Sequence, residues 1–287
     1  MNICLFSKDE IECPKPCLSF DDKRGEHILK VLHKGTGDSF TAGVIDGQSG
    51  DAVITGLDEA ARKIFFEFTP TGDGKPLNPL KMIVGFVRPI QLRRLLRDVA
   101  ALGVSELHLT GTELGEKSYM QSDLAQPDKV RELLLEGTVQ AGSTHVPNVF
   151  IYKSVQDCLE SMKCMGSLDS MGSLNSMGSL NSMGSLRLSK GPLLICLDNV
   201  NPKCSLSEAI SGVPALRQAQ EPRVEGQVIA AIGSERGWTS GERKLFEDAG
   251  FIRCGMGTRI MRTETAVTVA GAIILNSMGR LSGQARQ

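Results

Sequence analysis

No apolar run in this 287-residue chain approaches the roughly 20 residues that a membrane-spanning helix needs. The opening stretch, MNICLFSKDEIECPK, has no sustained apolar segment and turns charged at Lys8, so no secretory leader is expected. Excess charge of either sign is also lacking. The net charge is −1, so any contact with a polyanion must come from a local patch rather than from the whole surface. Eight cysteines are scattered along the chain, and the one close pair, Cys13 and Cys17, has no second pair at similar spacing. A four-ligand zinc site is therefore not expected, and no metal is assigned. Reduced thiols in a cytoplasmic protein are the simplest reading. The dinucleotide fingerprint G-x-G-x-x-G and the phosphate loop G-x-x-x-x-G-K-[ST] are both missing, which removes the commonest nucleotide-binding signatures.

What remains is an ordinary globular composition, 41% hydrophobic and 23% charged, in a chain long enough for one or two domains. The first 70 or so residues read as β-structure. DSFTAGVI, GDAVITGL and RKIFFEF are short runs rich in β-branched and aromatic residues, and residues 47–50 make a turn between the first two. One helix, KRGEHILKVLHK, is expected before them, capped by Asp22 and burying Ile28, Val31 and Leu32. Residues 69–79 are rich in Pro and Gly and mark a boundary, giving domains 1–72 and 77–287. Beyond it strands alternate with helices. KMIVGFV, SELHLTG, LLICLD, QVIAAIG and FIRCG read as strands. Helices open at Pro89 and Pro127, a third covers SGERKLFEDAG, and a fourth runs from about Glu264 to Arg280. That alternation predicts an α/β fold with a parallel sheet covered on both faces. A six-residue repeat over residues 165–186, part of a low-complexity insertion at 165–188, and a polar excursion at 215–227 interrupt the pattern.

Two glycine-studded loops join strand to helix. In IGSERGWTSGERKLF, Gly233 and Gly237 bracket Ser234, Glu235 and Arg236, and Thr239 or Ser240 is placed to cap the next helix. In GMGTRIMRTETA, Thr263 suits a cap and Glu264 suits the positive helix end. Capping does not account for Arg259 and Arg262, cations that oppose the helix dipole at that end. Ligands of open α/β sheets sit outside the carboxyl ends of the strands, so the two loops predict a pocket for a partly anionic ligand. Basic residues cluster at Lys23, Arg24, His27, Lys30, His33 and Lys34, and again at Arg88, Arg93, Arg94 and Arg97. These are either solvated faces or phosphate contacts.

IGSERGWTSGERKLFEDAGF followed by MGTRIMRTETAVTVA resembles the 16S ribosomal RNA (uracil-N3)-methyltransferase family, the RsmE type of the SPOUT superfamily. That family shows I-G-P-E-G-G-[FW]-[ST]-x-x-E and then L-G-x-R-I-L-R-T-E-T-A. EHILKVLHKGTGDSF and LRDVAALGVSELHL are similar to two further family segments, so the likeness spans nearly the whole chain outside the two insertions. Ser234-Glu235-Arg236-Gly237 stands where the family has Pro-Glu-Gly-Gly, and residues 113–119, ELGEKSY, depart from its arginine-serine pattern.

The resemblance implies an N-terminal PUA-like β-barrel that binds RNA and a C-terminal α/β-knot, a trefoil-knotted methyltransferase domain that works as a homodimer. It implies S-adenosylmethionine as cofactor, at Leu197, Ile232, Gly233, Glu235, Gly237, Met256, Gly257, Ile260, Met261 and Thr265. Arg262 and Glu264 become the candidate catalytic residues; Arg24, Lys30, Lys34, Arg88, Arg93 and Arg94 become candidate contacts to 16S ribosomal RNA or the small subunit. Two alternatives stay open at this point: a related enzyme acting on ribose 2′-oxygen or transfer RNA, and a non-catalytic RNA-binding assembly factor.

Overall fold

The computed structural model describes residues 2–168, 191–211 and 226–281. The repeat at 165–186 beyond residue 168, and the polar excursion at 215–227 before residue 226, lie outside the described residues.

The N-terminal unit is a five-stranded sheet in the order β1-β3-β4-β5-β2. Its strands are β1 (Cys4–Phe6), β2 (Cys17–Ser19), β3 (Ser39–Val44), β4 (Ser49–Asp58) and β5 (Lys63–Gly72). Residues of β4 are alternately buried and exposed along its first half, as expected of a sheet with one face on a core. Phe6, Ile28, Phe40, Ile54, Ile64 and Phe66 fill that core. The ladder runs from edge β1 to edge β2 with no pairing between them among the described residues. The described residues thus form an open five-stranded sheet, and the PUA-like barrel that the resemblance implies goes no further here than that sheet.

Helix α1 (Lys8–Glu12) follows a Ser7–Glu10 capping box. Asp22 caps α2 (Lys23–Glu26) as expected, but the chain then widens into a π turn over His27–Val31. The amide of Leu32 bonds back to His27. The wider turn breaks the 3.6-residue period on which the single apolar face was predicted. Ile28 is buried, while Val31 is 61% exposed and Leu32 40%.

The second unit is a seven-stranded sheet, all pairs parallel, in the order β10-β12-β9-β11-β6-β7-β8. Its strands are β6 (Asn78–Gly85), β7 (Val104–Thr110), β8 (Asn148–Tyr152), β9 (Leu193–Leu197), β10 (Cys204–Ser205), β11 (Val228–Ile232) and β12 (Ile252–Gly255). All five residues of β11 are buried, because helices cover both faces. One face carries α3 (Pro89–Leu102), α4 (Pro127–Ala141), α6 (Leu206–Ser211) and the last helix, α8 (Thr263–Ser277). The other carries α5 (Val155–Cys164) and α7 (Ser240–Asp248).

The proline-started helices behave as their sequences dictate. Pro89 and Pro127 open α3 and α4, and Gly103 and Gly142 close them at φ of 68° and 62°. That left-handed conformation suits glycine. The expected last helix ends at Ser277, short of Arg280. Helices α3 and α8 run parallel, since Thr268 bonds Asp98 and Gly271 abuts Leu102. Both therefore point their positive ends to the carboxyl edge of the sheet. The two sheets are joined through Asp46, whose amide donates to the Thr144 carbonyl while its Oδ1 accepts from the amide of Val146, each at 2.9 Å.

Candidate functional site

Strands β9, β11 and β12 end side by side at Leu197, Ile232 and Gly255, and the three loops that leave them converge. In the middle loop, Gly233 and Gly237 pack so closely that a Cβ on Gly233 would lie 2.9 Å from the Gly237 Cα. Gly237 itself has φ of +72°. These contacts explain why the bracketing residues are glycine. The loop is held from three sides. Ser234 Oγ lies 3.0 Å from Thr112 Oγ1, Glu235 Oε1 accepts the Arg88 amide at 3.2 Å, and Thr263 Oγ1 donates to the Gly233 carbonyl at 3.1 Å. Below it Thr239 and Glu242 form the capping box of α7. The nearly buried Glu242 carboxylate also accepts the amide of Glu113 at 2.9 Å.

The third loop carries Gly257 at φ of +100° and enters α8. The cap differs from the expectation for Thr263. Arg262 occupies the N-cap, with extended backbone and no side-chain capping bond, and Thr263 is the first helical residue. A buried hydroxyl finds the Gly233 carbonyl instead of the helix end, and that bond ties the two predicted loops together.

Between the loops lies a cavity of about 240 Å3. Of the residues expected to hold a cofactor, Leu197, Ile232, Gly233, Glu235, Gly237, Met256, Ile260 and Met261 line it; Gly257 and Thr265 do not. Arg262 and Glu264 also lie outside the lining, but each is next in sequence to a lining residue, Met261 or Thr263. Arg262 is exposed; Glu264 is buried, and its Oε2 has no hydrogen-bond partner among the described residues.

The structure adds wall residues that the motif reading did not select. Asp198 and Arg243 form a charged wall, with Arg243 Nε 2.5 Å from Asp198 Oδ2 and the carboxylate only 4% exposed. This bond holds the guanidinium above its ordinary pKa. Trp238 lines the cavity with a buried Nε1 that lacks a partner among the described residues. A carboxylate directly after the apolar strand LLICL was the available signal for Asp198. Nothing local marked Arg243, which reads as one more charge on a helix.

The candidate RNA contacts separate into two groups. Arg24 leaves the set. Its guanidinium donates to Glu10 at 2.7 Å, to Asp22 at 2.8 Å and to the Leu5 carbonyl at 2.8 Å, and it stacks over Phe6. A cation with its donors used internally holds the fold rather than a phosphate. Lys30 pairs with Glu26 on the surface, and Arg88 makes a long contact of 3.7 Å with Glu235. Lys34, Arg93 and Arg94 have no ion pair among the described residues.

A family model described as an RNA methyltransferase domain matches residues 74–197 and 199–275. The ribosomal RNA small subunit methyltransferase E of Treponema pallidum is 40% identical over 276 residues, covering 96% of this chain and 91% of that protein. The chain belongs to the RNA methyltransferase family, small-subunit methyltransferase E type. A second relative of the same type, methyltransferase E 1 of Borreliella burgdorferi, is 25% identical over 96% of this chain and 98% of its own. Among solved structures, the methyltransferase E of Neisseria gonorrhoeae, bound to S-adenosyl methionine, matches with a TM-score of 0.65. It is 20% identical and covers 96% of this chain and 97% of that one, and so bears on the fold.

The family's cofactor can be tested against the cavity itself. An orphan buried indole N–H, two loops with close-packed backbone, the apolar side chains of Leu197, Met256 and Met261, and a buried carboxylate–guanidinium pair form its walls. Backbone and indole donors suit a purine, apolar walls suit its faces, and charged groups suit an amino-acid tail. The residues present fit S-adenosylmethionine. Among the described residues no cluster of three or more His, Cys, Asp or Glu could hold a metal ion, and no helix is long and apolar enough to cross a membrane.

Gly85, at the end of β6, supports this site from below. A Cβ there would lie 2.4 Å from the Ser234 amide nitrogen and 3.1 Å from the Gly233 carbonyl carbon. Gly85→Ala is expected to push the middle loop out of place and weaken cofactor binding about tenfold, since a misplaced binding loop forfeits preorganisation. Titration calorimetry with S-adenosylmethionine reads the effect; wild-type affinity would show that the loop does not hold the cofactor.

Proposed function

We propose that this chain transfers a methyl group from S-adenosylmethionine to N3 of a uridine in 16S ribosomal RNA. The observation that carries the reading is the closure of the Gly233–Gly237 and Met256–Met261 loops on one cavity, with Arg262 and Glu264 following directly. The cofactor supplies an activated methyl on a sulfonium. Uracil N3 bears a weakly acidic proton that must leave, and negative charge spreads to the flanking carbonyl oxygens. Arg262 is exposed, unpaired among the described residues, and planar in its donors, which suits it to those oxygens or to the target phosphate. Glu264 supports the role of proton acceptor. A buried carboxylate oxygen without a donor is costly, and the N3 proton is the donor it lacks.

Lys30, Lys34, Arg88, Arg93 and Arg94 remain the proposed RNA contacts, and the N-terminal sheet is the proposed PUA-like module. The convergence of the β9, β11 and β12 loops on one pocket is what supports the proposed trefoil knot. A homodimer is supported by apolar side chains left in water around the pocket: Ile260 is 86% exposed, Ile90 70% and Val200 48%. The eight free thiols accord with a cytoplasmic enzyme.

Label transfer from methyl-labelled cofactor to undermethylated small subunits, followed by nucleoside analysis, tests the proposal. Labelled 3-methyluridine is expected. Another labelled nucleoside would overturn the base assignment, and neither label nor cofactor binding would favour an assembly factor. RNA affinity is also expected to fall steeply with salt. The Arg93→Ala/Arg94→Ala variant should flatten the log–log slope by about 0.7 for each phosphate that these side chains neutralise. An unchanged slope in that variant would make these arginines a solvated face.

A further inference from the structure

A second and larger cavity, about 460 Å3, opens at the carboxyl ends of β6, β7 and β8. Because β6 lies between β11 and β7, it adjoins the cofactor cavity along one sheet edge. The wall between them is thin. Thr112 lines the second cavity, Ser234 lines the first, and their hydroxyl oxygens are 3.0 Å apart.

The second cavity is tightly constructed. A Cβ on Gly111 would lie 2.2 Å from the Lys153 carbonyl oxygen, and a Cβ on Gly115 2.7 Å from Thr112 Oγ1. The Gly111 amide donates to the Tyr152 carbonyl at 3.0 Å, and the Glu113 amide is held by Glu242. Two lysines line the cavity, Lys117 and Lys153, both exposed and both without an ion pair among the described residues. Met120 supplies a half-buried, polarisable apolar surface. Glu116 and Gln121 add an acceptor and an amide.

Free cations, a polarisable apolar side chain against which a base face can lie and edge-reading polar groups together suit a nucleotide. We infer that this cavity takes a nucleotide flanking the target uridine in the same RNA strand. Its phosphate lies on Lys117 and Lys153, its base lies against Met120, and its base edge meets Glu116 and Gln121. The Thr112–Ser234 wall keeps this nucleotide from the cofactor and leaves the reacting base to the other side. The inference rests on the RNA-methylating reading above. It also gives the residues of the ELGEKSY segment a task in placing the substrate.

The test uses the full chain, S-adenosylmethionine and small-subunit RNA. The Lys117→Met/Lys153→Met variant is expected to raise KM for RNA about tenfold while the cofactor Kd stays at the wild-type value. Lys163→Met, an exposed lysine on α5, serves as the control for general charge loss. An abasic scan of the nucleotides flanking the methylated uridine adds a readout that a mere basic patch would not move. One position is expected at which base removal lowers kcat/KM about tenfold in the wild type and less than about twofold in Met120→Ala. An equal KM rise in the control, an unchanged KM in the double variant, or no sensitive position would overturn the site. A wild-type chain that binds cofactor but labels no RNA would overturn the function and the site with it. That failure is distinguishable, because it appears before any variant is made.

Discussion

Arg262→Ala is expected to lower single-turnover methyl transfer by about 10²- to 10³-fold, the effect of removing one charge-stabilising donor from an active site. Folding should be spared. Arg262 contributes to α8 through its backbone, whose carbonyl accepts the Ala266 amide at 2.8 Å, and its side chain makes no capping bond. An exposed cation at a helix N-terminus opposes the dipole, so truncation removes a small penalty rather than a support. Cofactor affinity should also hold, because Arg262 does not line the proposed cofactor cavity. Arg262→Lys keeps the charge without the planar set of donors, and an intermediate rate is expected. The measurement is single-turnover label transfer beside calorimetric cofactor binding and a thermal melt. Wild-type turnover in the alanine variant would remove Arg262 from the site; lost cofactor binding would move it from catalysis to cofactor retention.

The parts of this molecule that were legible in the sequence are the ones written in neighbouring residues. Proline at the first turn and glycine after the last define α3 and α4 to within a residue. A cap at Thr239 or Ser240 was visible for the same reason, and the structure selects Thr239, with Glu242 three residues on completing the capping box. The two glycine-studded loops were also found, and eight of the ten residues that the family resemblance proposed for the cofactor line the cavity beside them. What escaped depends on partners far along the chain. Thr263 reads as a cap until Gly233, thirty residues earlier, presents a carbonyl to it. Arg24 reads as a surface cation until Glu10 and Asp22 enclose it. The π turn after Glu26 has no marker in the neighbouring residues. Just before it, Gly25 packs so closely on the Ser19 backbone that a Cβ would lie 2.1 Å from its carbonyl oxygen. Helix α5 was overlooked although Ser154 caps it, because only ten residues separate its start from the low-complexity insertion.

The charged wall of the proposed cofactor cavity is the other place where a large effect is expected. Asp198 is nearly buried, and three groups depend on it. Arg243 Nε donates at 2.5 Å, the Val200 amide donates at 3.0 Å, and Arg253 Nη1 lies 4.0 Å away. Replacing it by alanine leaves two guanidiniums, about one-fifth exposed, facing each other with no carboxylate between them. Breaking a buried pair by removing one partner costs about 3 kcal/mol. Arg253 keeps Glu247 at 2.7 Å and the Val200 carbonyl at 3.0 Å, so the loss falls mainly on Arg243. Asp198→Ala is therefore expected to destabilise the chain by about 3 kcal/mol and weaken S-adenosylmethionine binding with it, because the loop after β9 loses its anchor. Asp198→Asn, which retains an acceptor without the charge, should lose less. Pairing Asp198→Ala with Arg243→Met should recover part of the stability, since no unpaired guanidinium remains on α7. Urea denaturation and cofactor titration on the three variants decide the matter. A destabilisation below about 1 kcal/mol in Asp198→Ala would place the pair among ordinary surface bridges and free the cavity wall from any dependence on it.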